Sequence, residues 1–301
     1  MKLGIIGLNN FDNGHPFSFS AIINGYDEKK FKKTNYRNIL GYLKKKSKSD
    51  FGFKNVKITH AWTQDIKLTK SLCQSCFIEN AVEDYKEMIG LVDGLIIARD
   101  DLHYEISKIF LEKKIPVFID KPLTSNLNEL NYFKKYLNKG LLMSTSGLRY
   151  AQEVFELKKK LKSLGKIKVV NAIVLNEFYK YGIHMLDIID ELQILKVKKI
   201  IKIKNDIDMI TYFCEKNVTV NVQCLGNVNK IFFLQLIGTK KSINIEINDN
   251  FLAFKNTLGR FIKMIRNKNS KINKPESTLN VISVLIKTMK LKNGKLFKYK
   301  K

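Results

Sequence analysis

Cysteine is scarce in this chain of 301 residues: the four present, Cys73, Cys76, Cys214 and Cys224, are too few and too scattered for a disulfide framework. Cys73-x-x-Cys76 has redox or zinc-ligand spacing, but no second pair completes a metal site, so reduced structural thiols are expected and no metal. Long apolar runs are missing too. None reaches the roughly 18 residues that read as a membrane-crossing helix, and Met1-Lys2-Leu3 leads straight into a strand-like segment rather than a signal peptide. These absences predict a cytoplasmic protein with no membrane partner. Internal repeats and low-complexity linkers are absent as well. Acidic residues are few beside basic ones, 28 against 54, for a formal net charge of +26. Such a charge invites a nucleic-acid reading, because cationic surfaces bind phosphate backbones by counterion release. Placement weakens it: the lysines run along nearly the whole chain, mixed with many Asn and Ile, as an AT-rich coding bias would leave them. No nucleic acid is expected, and a small anionic or sugar-type substrate is.

What is present has the composition of a folded globular protein, 45% hydrophobic and 27% charged, and the length suits two domains. Leu3-Gly4-Ile5-Ile6-Gly7-Leu8 is a short apolar run ending in a turn, the signature of a buried parallel strand that opens a βαβ unit. Further strands are read over Val56–Trp62, Gly94–Arg99, Ile115–Asp120 and Leu141–Ser146, and helices over Leu102–Lys113 and Leu123–Leu137, the latter with Ser125 as N-cap. Alternating strand and helix means a doubly wound parallel sheet. Beyond it, a helix over Ala151–Leu164 precedes strand-like segments Ile167–Leu175, Val218–Leu225, Ile231–Ile237 and Ser242–Ile247, joined by short turns. The predicted fold is α/β: an N-terminal Rossmann domain, residues 1–146, and a C-terminal α+β domain, residues 147–301, with an open, mostly antiparallel sheet that suits a homodimer or homotetramer. Between Gly25 and Phe53 a basic, aromatic stretch (Tyr26, Lys32, Lys33, Tyr36, Arg37) reads as a solvated insertion, with a cover over the cofactor or a nucleotide-sugar contact as the alternative.

Two clusters carry chemistry. Asp120-Lys121-Pro122 closes a buried strand at the sheet edge where ligands of open α/β sheets bind, and a lysine there can hydrogen-bond a substrate hydroxyl or take part in proton transfer. The bland alternative is a solvated lysine at a strand end. In Tyr179–Asp187, a helix starting near Gly182 puts His184 and Asp187 on one face, with Asp187 able to orient the imidazole. A partly buried structural histidine is the competing reading.

Together these pieces resemble the Gfo/Idh/MocA family, named for glucose-fructose oxidoreductase and inositol dehydrogenase. The residues that carry the resemblance are Val92–Ala98, then His103, then Lys114–Leu123, in which Asp120 stands where the family's Glu-Lys-Pro has Glu. Arg149, the Leu164–Ile167 turn and Gly182-x-His184-x-x-Asp187 follow in order. The resemblance implies an oxidoreductase of sugars, sugar phosphates or nucleotide-sugars, with surface carbohydrate synthesis as one setting. It implies NAD or NADP as cofactor and Lys121 and His184 as the catalytic, proton-handling pair, and places Ala98, Arg99, His103 and Asp120 at the cofactor and Arg149, Lys180 and Asp187 at the substrate.

Departures accompany the matches. Of the glycines in the family's G-x-G-x-x-G loop, which allow a tight turn and close approach to a pyrophosphate, only Gly7 is kept; Asn9 and Asp12 stand at the others. The longer loop offers Gly14, His15 and Ser18 at a helix N-terminus as a modified phosphate site. Where an acidic residue normally binds the adenosine ribose, Thr63-Gln64-Asp65 occurs. Asp65 can serve from further along, whereas Thr63 alone tolerates a 2′-phosphate, so NAD and NADP both stay open. Lys180 stands where many relatives carry Asp; its charge suits an anionic substrate, or marks a non-catalytic sugar- or nucleotide-binding protein that has lost the chemistry.

Overall fold

The computed structural model describes residues 1–8, 13–267, 272 and 274–299. They form two compact units, and the chain enters each more than once: Met1–Thr124, 131–144 and 254–275 make the first, and the rest the second.

The first unit is built on strands β1 (Lys2–Gly7), β2 (Lys57–Thr63), β3 (Asn80–Ala81), β4 (Gly94–Ala98), β5 (Val117–Ile119) and β6 (Leu142–Ser144), in the order β3-β2-β1-β4-β5-β6. Every neighbouring pair is parallel. Strands sandwiched by helices need apolar side chains on both faces, and β4 accordingly is buried at all five positions. The connecting helices are α1 (His15–Asn24), α2 (Glu28–Phe31), α3 (Arg37–Leu43), α4 (Ile66–Ser75), α5 (His103–Glu112) and α6 (Leu127–Asn138). The segment expected to be a solvated insertion is instead α2 and α3 packed on α1. Phe17 meets Phe31 and Tyr36 at ring distances of 5.7 and 4.5 Å, and Tyr36 is only 5% exposed. At α6 the cap is Asn126 rather than Ser125: its side-chain oxygen accepts the Asn128 N–H at 2.8 Å, and an Asn carbonyl placed there satisfies a helix-end donor directly.

The second unit carries α7 (Gln152–Lys160), β7 (Ile167–Val174), α8 (Ile183–Glu191), β8 (Val197–Lys204), β9 (Asp208–Cys214), β10 (Thr219–Cys224), β11 (Phe232–Gly238) and β12 (Ser242–Glu246). After these come α9 (Asn250–Asn267), α10 (Pro275–Lys290) and β13 (Leu296–Lys298). Its seven-stranded sheet has the order β12-β11-β7-β10-β9-β8-β13. Only the β7–β10 pair is parallel. Burial alternates along β7 and β10, one face packed and the other partly open. On the more open side a polar ladder ties strands together: Thr211 donates to Asn221, Asn221 to Asn171 and Asn171 to Gln235, at 2.9 to 3.0 Å. The sequence expectation missed β8, β9, α9, α10 and β13. The expected single division at residue 146 also fails in one respect, because most of α9 returns to the first unit. There Phe261 contacts Phe118 of β5 at 5.9 Å, and Phe254 meets Phe19 at 5.3 Å.

All four cysteines are buried free thiols, and burial pushes Cys73, Cys214 and Cys224 up to about 12, which suppresses thiolate at neutral pH. Among the described residues no group of His, Cys, Asp and Glu gathers that could hold a metal ion, and no helix is long and apolar enough to cross a membrane.

Two glycines mark close approaches of different hardness. A Cβ on Gly238 would lie 2.1 Å from the Leu164 carbonyl oxygen, whereas one on Gly94 would meet the tip of Ile265 at 2.6 Å. Backbone cannot yield as a side-chain tip can. Gly238→Ala should therefore cost at least the roughly 1–3 kcal/mol of an overpacked site, and more than Gly94→Ala. Urea unfolding of the two variants checks this, and equal losses would refute it.

Candidate active site

At the C-terminal edge of the parallel sheet, Gly7 pairs in register with Thr63 on one side and Ala98 on the other. Strand order turns between β1 and β4, the point where open α/β sheets bind ligands. Gly7 is required there by packing: a Cβ would come within 2.4 Å of the Pro16 ring on α1. Gly14 plays the same part against Ile39 and Tyr36. Asn9 and Asp12 lie outside the described residues. The start of α1 offers fewer amides than expected, because the His15 N–H donates to the Asn13 side chain at 3.1 Å and Pro16 has none. Ser18 does not face a phosphate either. Its hydroxyl is buried against that of Tyr42, where burial pushes the phenol upward.

His15 turns its side chain to the end of β5, where Nδ1 lies 2.5 Å from Asp120. Asp120 also accepts the Lys121 N–H at 2.9 Å. Burial pushes this carboxyl up, but the charges of His15 and Lys121 and the two hydrogen bonds outweigh it and hold the group at about 2. Lys121 follows directly, half-buried. His103 is redirected from cofactor ligand to brace: its nitrogens face the carbonyls of Leu123 and Arg99, at 3.1 and 2.6 Å, and both are main-chain groups. The Thr63 hydroxyl is likewise spent internally, on the Asp65 carbonyl at 2.7 Å, and Asp65 caps α4 by accepting the Lys67 N–H at 2.8 Å. Arg99 is 3% exposed, with its guanidinium 5.6 Å from the Trp62 ring centroid.

In the second unit a single π-helical turn, Phe178–Gly182, carries half-buried Lys180 and leads into α8. His184 is 7% exposed, with Tyr181 and Phe232 at ring distances of 5.8 and 5.4 Å. Asp187 was expected to orient it; Ser146 does so instead. The Ser146 hydroxyl lies 2.6 Å from His184 Nδ1, accepts the Leu148 N–H at 3.2 Å, and the Ser146 N–H donates to Asp187 at 2.6 Å. Asp187 therefore positions the histidine through a serine that sequence spacing gave no way to connect. Arg149 and Asp187, expected at the substrate, are buried and committed to each other at 2.9 Å. The same guanidinium donates to Asp190 at 3.1 Å and to Glu191 at 3.0 Å. Burial alone would pull Arg149 down, but the surrounding carboxylates hold it above its ordinary value. Burial pushes Asp187 upward, opposed by Arg149 and the Ser146 N–H. These two residues fix α8 rather than bind substrate.

Residues 1–145 match the GFO_IDH_MocA model, an oxidoreductase family with an NAD-binding Rossmann fold. Over this stretch, about half of its length, the chain is similar to that family. No curated protein sequence matches the chain. Among solved structures, myo-inositol 2-dehydrogenase from Lactobacillus plantarum is similar with a TM-score of 0.79, at 14% identity over 100% of this chain and 99% of that one. Myo-inositol dehydrogenase from Corynebacterium glutamicum is similar at 0.76, with 13% identity and the same coverage. Scyllo-inositol dehydrogenase from Lactobacillus casei, solved with NAD(H) and scyllo-inositol, reaches 0.74 at 14% identity over 95% of each chain. At such identities the likeness is one of fold. The edge of the parallel sheet fits a dinucleotide in two respects: Gly7 presents no side chain at the switch point, and Arg99 keeps a buried Nη1 with no hydrogen-bond partner among the described residues.

Two outcomes follow. Asp120 is held at about 2 against an ordinary 3.8, so it contributes stability above pH 3.8 that is lost as pH falls through 2, about 2 kcal/mol in all. The stability gap between wild type and Asp120→Asn should close over that acid range, and a gap independent of pH would refute the ion pair. Arg149→Met leaves buried carboxylates uncompensated and should cost about 3–5 kcal/mol in denaturant unfolding.

Proposed function

We propose that the chain is an NAD- or NADP-dependent dehydrogenase or reductase acting on a hydroxyl or ketone of a sugar, sugar phosphate or nucleotide-sugar. The observation that carries the reading is the seating of His184. Its Nδ1 lies 2.6 Å from the Ser146 hydroxyl, and the rings of Tyr181 and Phe232 flank it, so the imidazole is held in one orientation. A ring held in one orientation is what general-base catalysis asks of an imidazole. Gly7 and Arg99 would hold the cofactor, and a bound nicotinamide would supply the hydride chemistry. His184 would take the hydroxyl proton in alcohol oxidation and return it in reduction. Lys121, at the ligand edge of the first unit's sheet, would donate to a ligand oxygen. The inositol dehydrogenases that share the fold support a polyol or sugar substrate, and the net charge of +26 supports an anionic one.

The competing reading is a binding protein of the same fold that has lost hydride chemistry, favoured by the missing amides at the start of α1. The two separate in one set of measurements. NADH, NAD, NADPH or NADP should raise the melting temperature of the wild type, because a ligand bound only by the folded state stabilises it; no shift with any of the four refutes both the cofactor and the enzyme. Lys121→Ala and His184→Ala should each lower kcat by about 10²–10⁴-fold while keeping that shift, and the double variant should lose far less than the product of the two. Full turnover in both single variants would remove Lys121 and His184 from the chemistry, and a cofactor shift in a wild type that turns over no sugar or polyol would favour the binding protein.

A further inference from the structure

Arg99 leaves the end of β4 at Ala98, which pairs with Gly7 of β1, while Trp62 of β2 pairs with Ile6 on the other side of that strand. With its guanidinium carbon 5.6 Å from the Trp62 ring centroid, the Arg99 side chain reaches from β4 across the end of β1 to β2. Its Nε donates to Asp101 at 2.5 Å, which sets the plane of the guanidinium, and its carbonyl is bound by His103 at 2.6 Å, which sets the backbone. The neighbouring Asp100 accepts from the Asn13 amide at 2.9 Å. The residue is 3% exposed, and its Nη1 is buried without a hydrogen-bond partner among the described residues. A buried guanidinium donor without an acceptor is costly.

That unmet donor stands at the switch point of the sheet, where a dinucleotide's phosphates lodge in this architecture. Nearby α1 contributes little to anion binding, since the His15 N–H is occupied by Asn13 and Pro16 has no N–H. We propose that Arg99 is the phosphate-binding residue of the nucleotide site, its Nη1 donating to a phosphate oxygen while Trp62 and Asp101 hold the guanidinium plane. The inference rests on the cofactor reading above and adds to it the group that grips the ligand. Charge from a side chain replaces the amides of a glycine-rich turn. The phosphate has two sources, the diphosphate common to both dinucleotides and the 2′-phosphate of NADPH alone.

Calorimetric titration of wild type, Arg99→Ala and Arg99→Lys with NADH, NADPH and adenosine tests it without reference to turnover. Arg99→Ala should weaken at least one dinucleotide tenfold or more, Arg99→Lys should recover part of the loss, and adenosine, which has no phosphate, should bind all three proteins alike or none of them. Equal losses for NADH and NADPH assign the diphosphate; a loss confined to NADPH assigns the 2′-phosphate. If Arg99→Ala does not fold, Arg99→Gln, which keeps a donor and the packing on Trp62 without the charge, takes its place with the same expected loss. Wild type that binds a dinucleotide while the neutral variants bind it within twofold overturns this proposal and leaves the cofactor reading intact. Wild type that binds neither dinucleotide removes both.

Discussion

Asp187, Asp190 and Glu191 on α8 converge on the one guanidinium of Arg149, and the place of His184 follows from that convergence. Ions taken out of water must be compensated where they lie, and a misplaced helix would leave at least one carboxylate bare. The network is accordingly closed on several sides: Lys158 reaches Glu191 at 2.7 Å, and Asn280 of α10 reaches Asp190 at 2.8 Å. Such a cluster does little for net stability but selects strongly among alternative packings of the same helix. From it the order passes by short hydrogen bonds from Asp187 to the Ser146 N–H, and from the Ser146 hydroxyl to the imidazole. The catalytic candidate is thereby positioned by charges that need never touch a substrate.

The first unit reaches its ligand edge by a different route. Its parallel strands are apolar on both faces, so their order and register come from packing, and the strand ends of β1, β2 and β4 arrive level at Gly7, Thr63 and Ala98. Polar groups then distribute themselves over that edge. His15 and Asp120 tie α1 to β5, His103 ties the loop after β4 to the turn after β5, and Asp65 caps α4. Several side chains that composition marks as ligands are in this way consumed by the scaffold. Arg99 differs from them, because its buried Nη1 has no hydrogen-bond partner among the described residues.

The buried parallel strands were legible because runs such as Gly94–Ala98 are apolar without alternation, and βαβ order leaves few topologies. The helix bearing His184 was legible from its apolar spacing. Strands β8 and β9 were not: Lys198, Lys199, Lys202 and Lys204 dilute the apolar signal of the first, and the second owes its place to pairing on both sides. Helix α9 looks like an element of the second half by position, yet Phe254 and Phe261 find their partners in the first unit. Contacts between distant parts of the chain leave no periodic trace.

By itself the sequence determined the class of fold, the strand-end location of Lys121 and the residues from which a site could be made, since these depend on local periodicity and turn chemistry. Tertiary structure alone decided how those residues are used. It joined His184 to Ser146 rather than to Asp187, closed Arg149 into an ion network and left Arg99 with an unanswered donor. A hydrogen bond or ion pair is settled by which groups are brought within about 3 Å of each other after the chain has folded, and residues far apart in sequence carry no mark of that meeting.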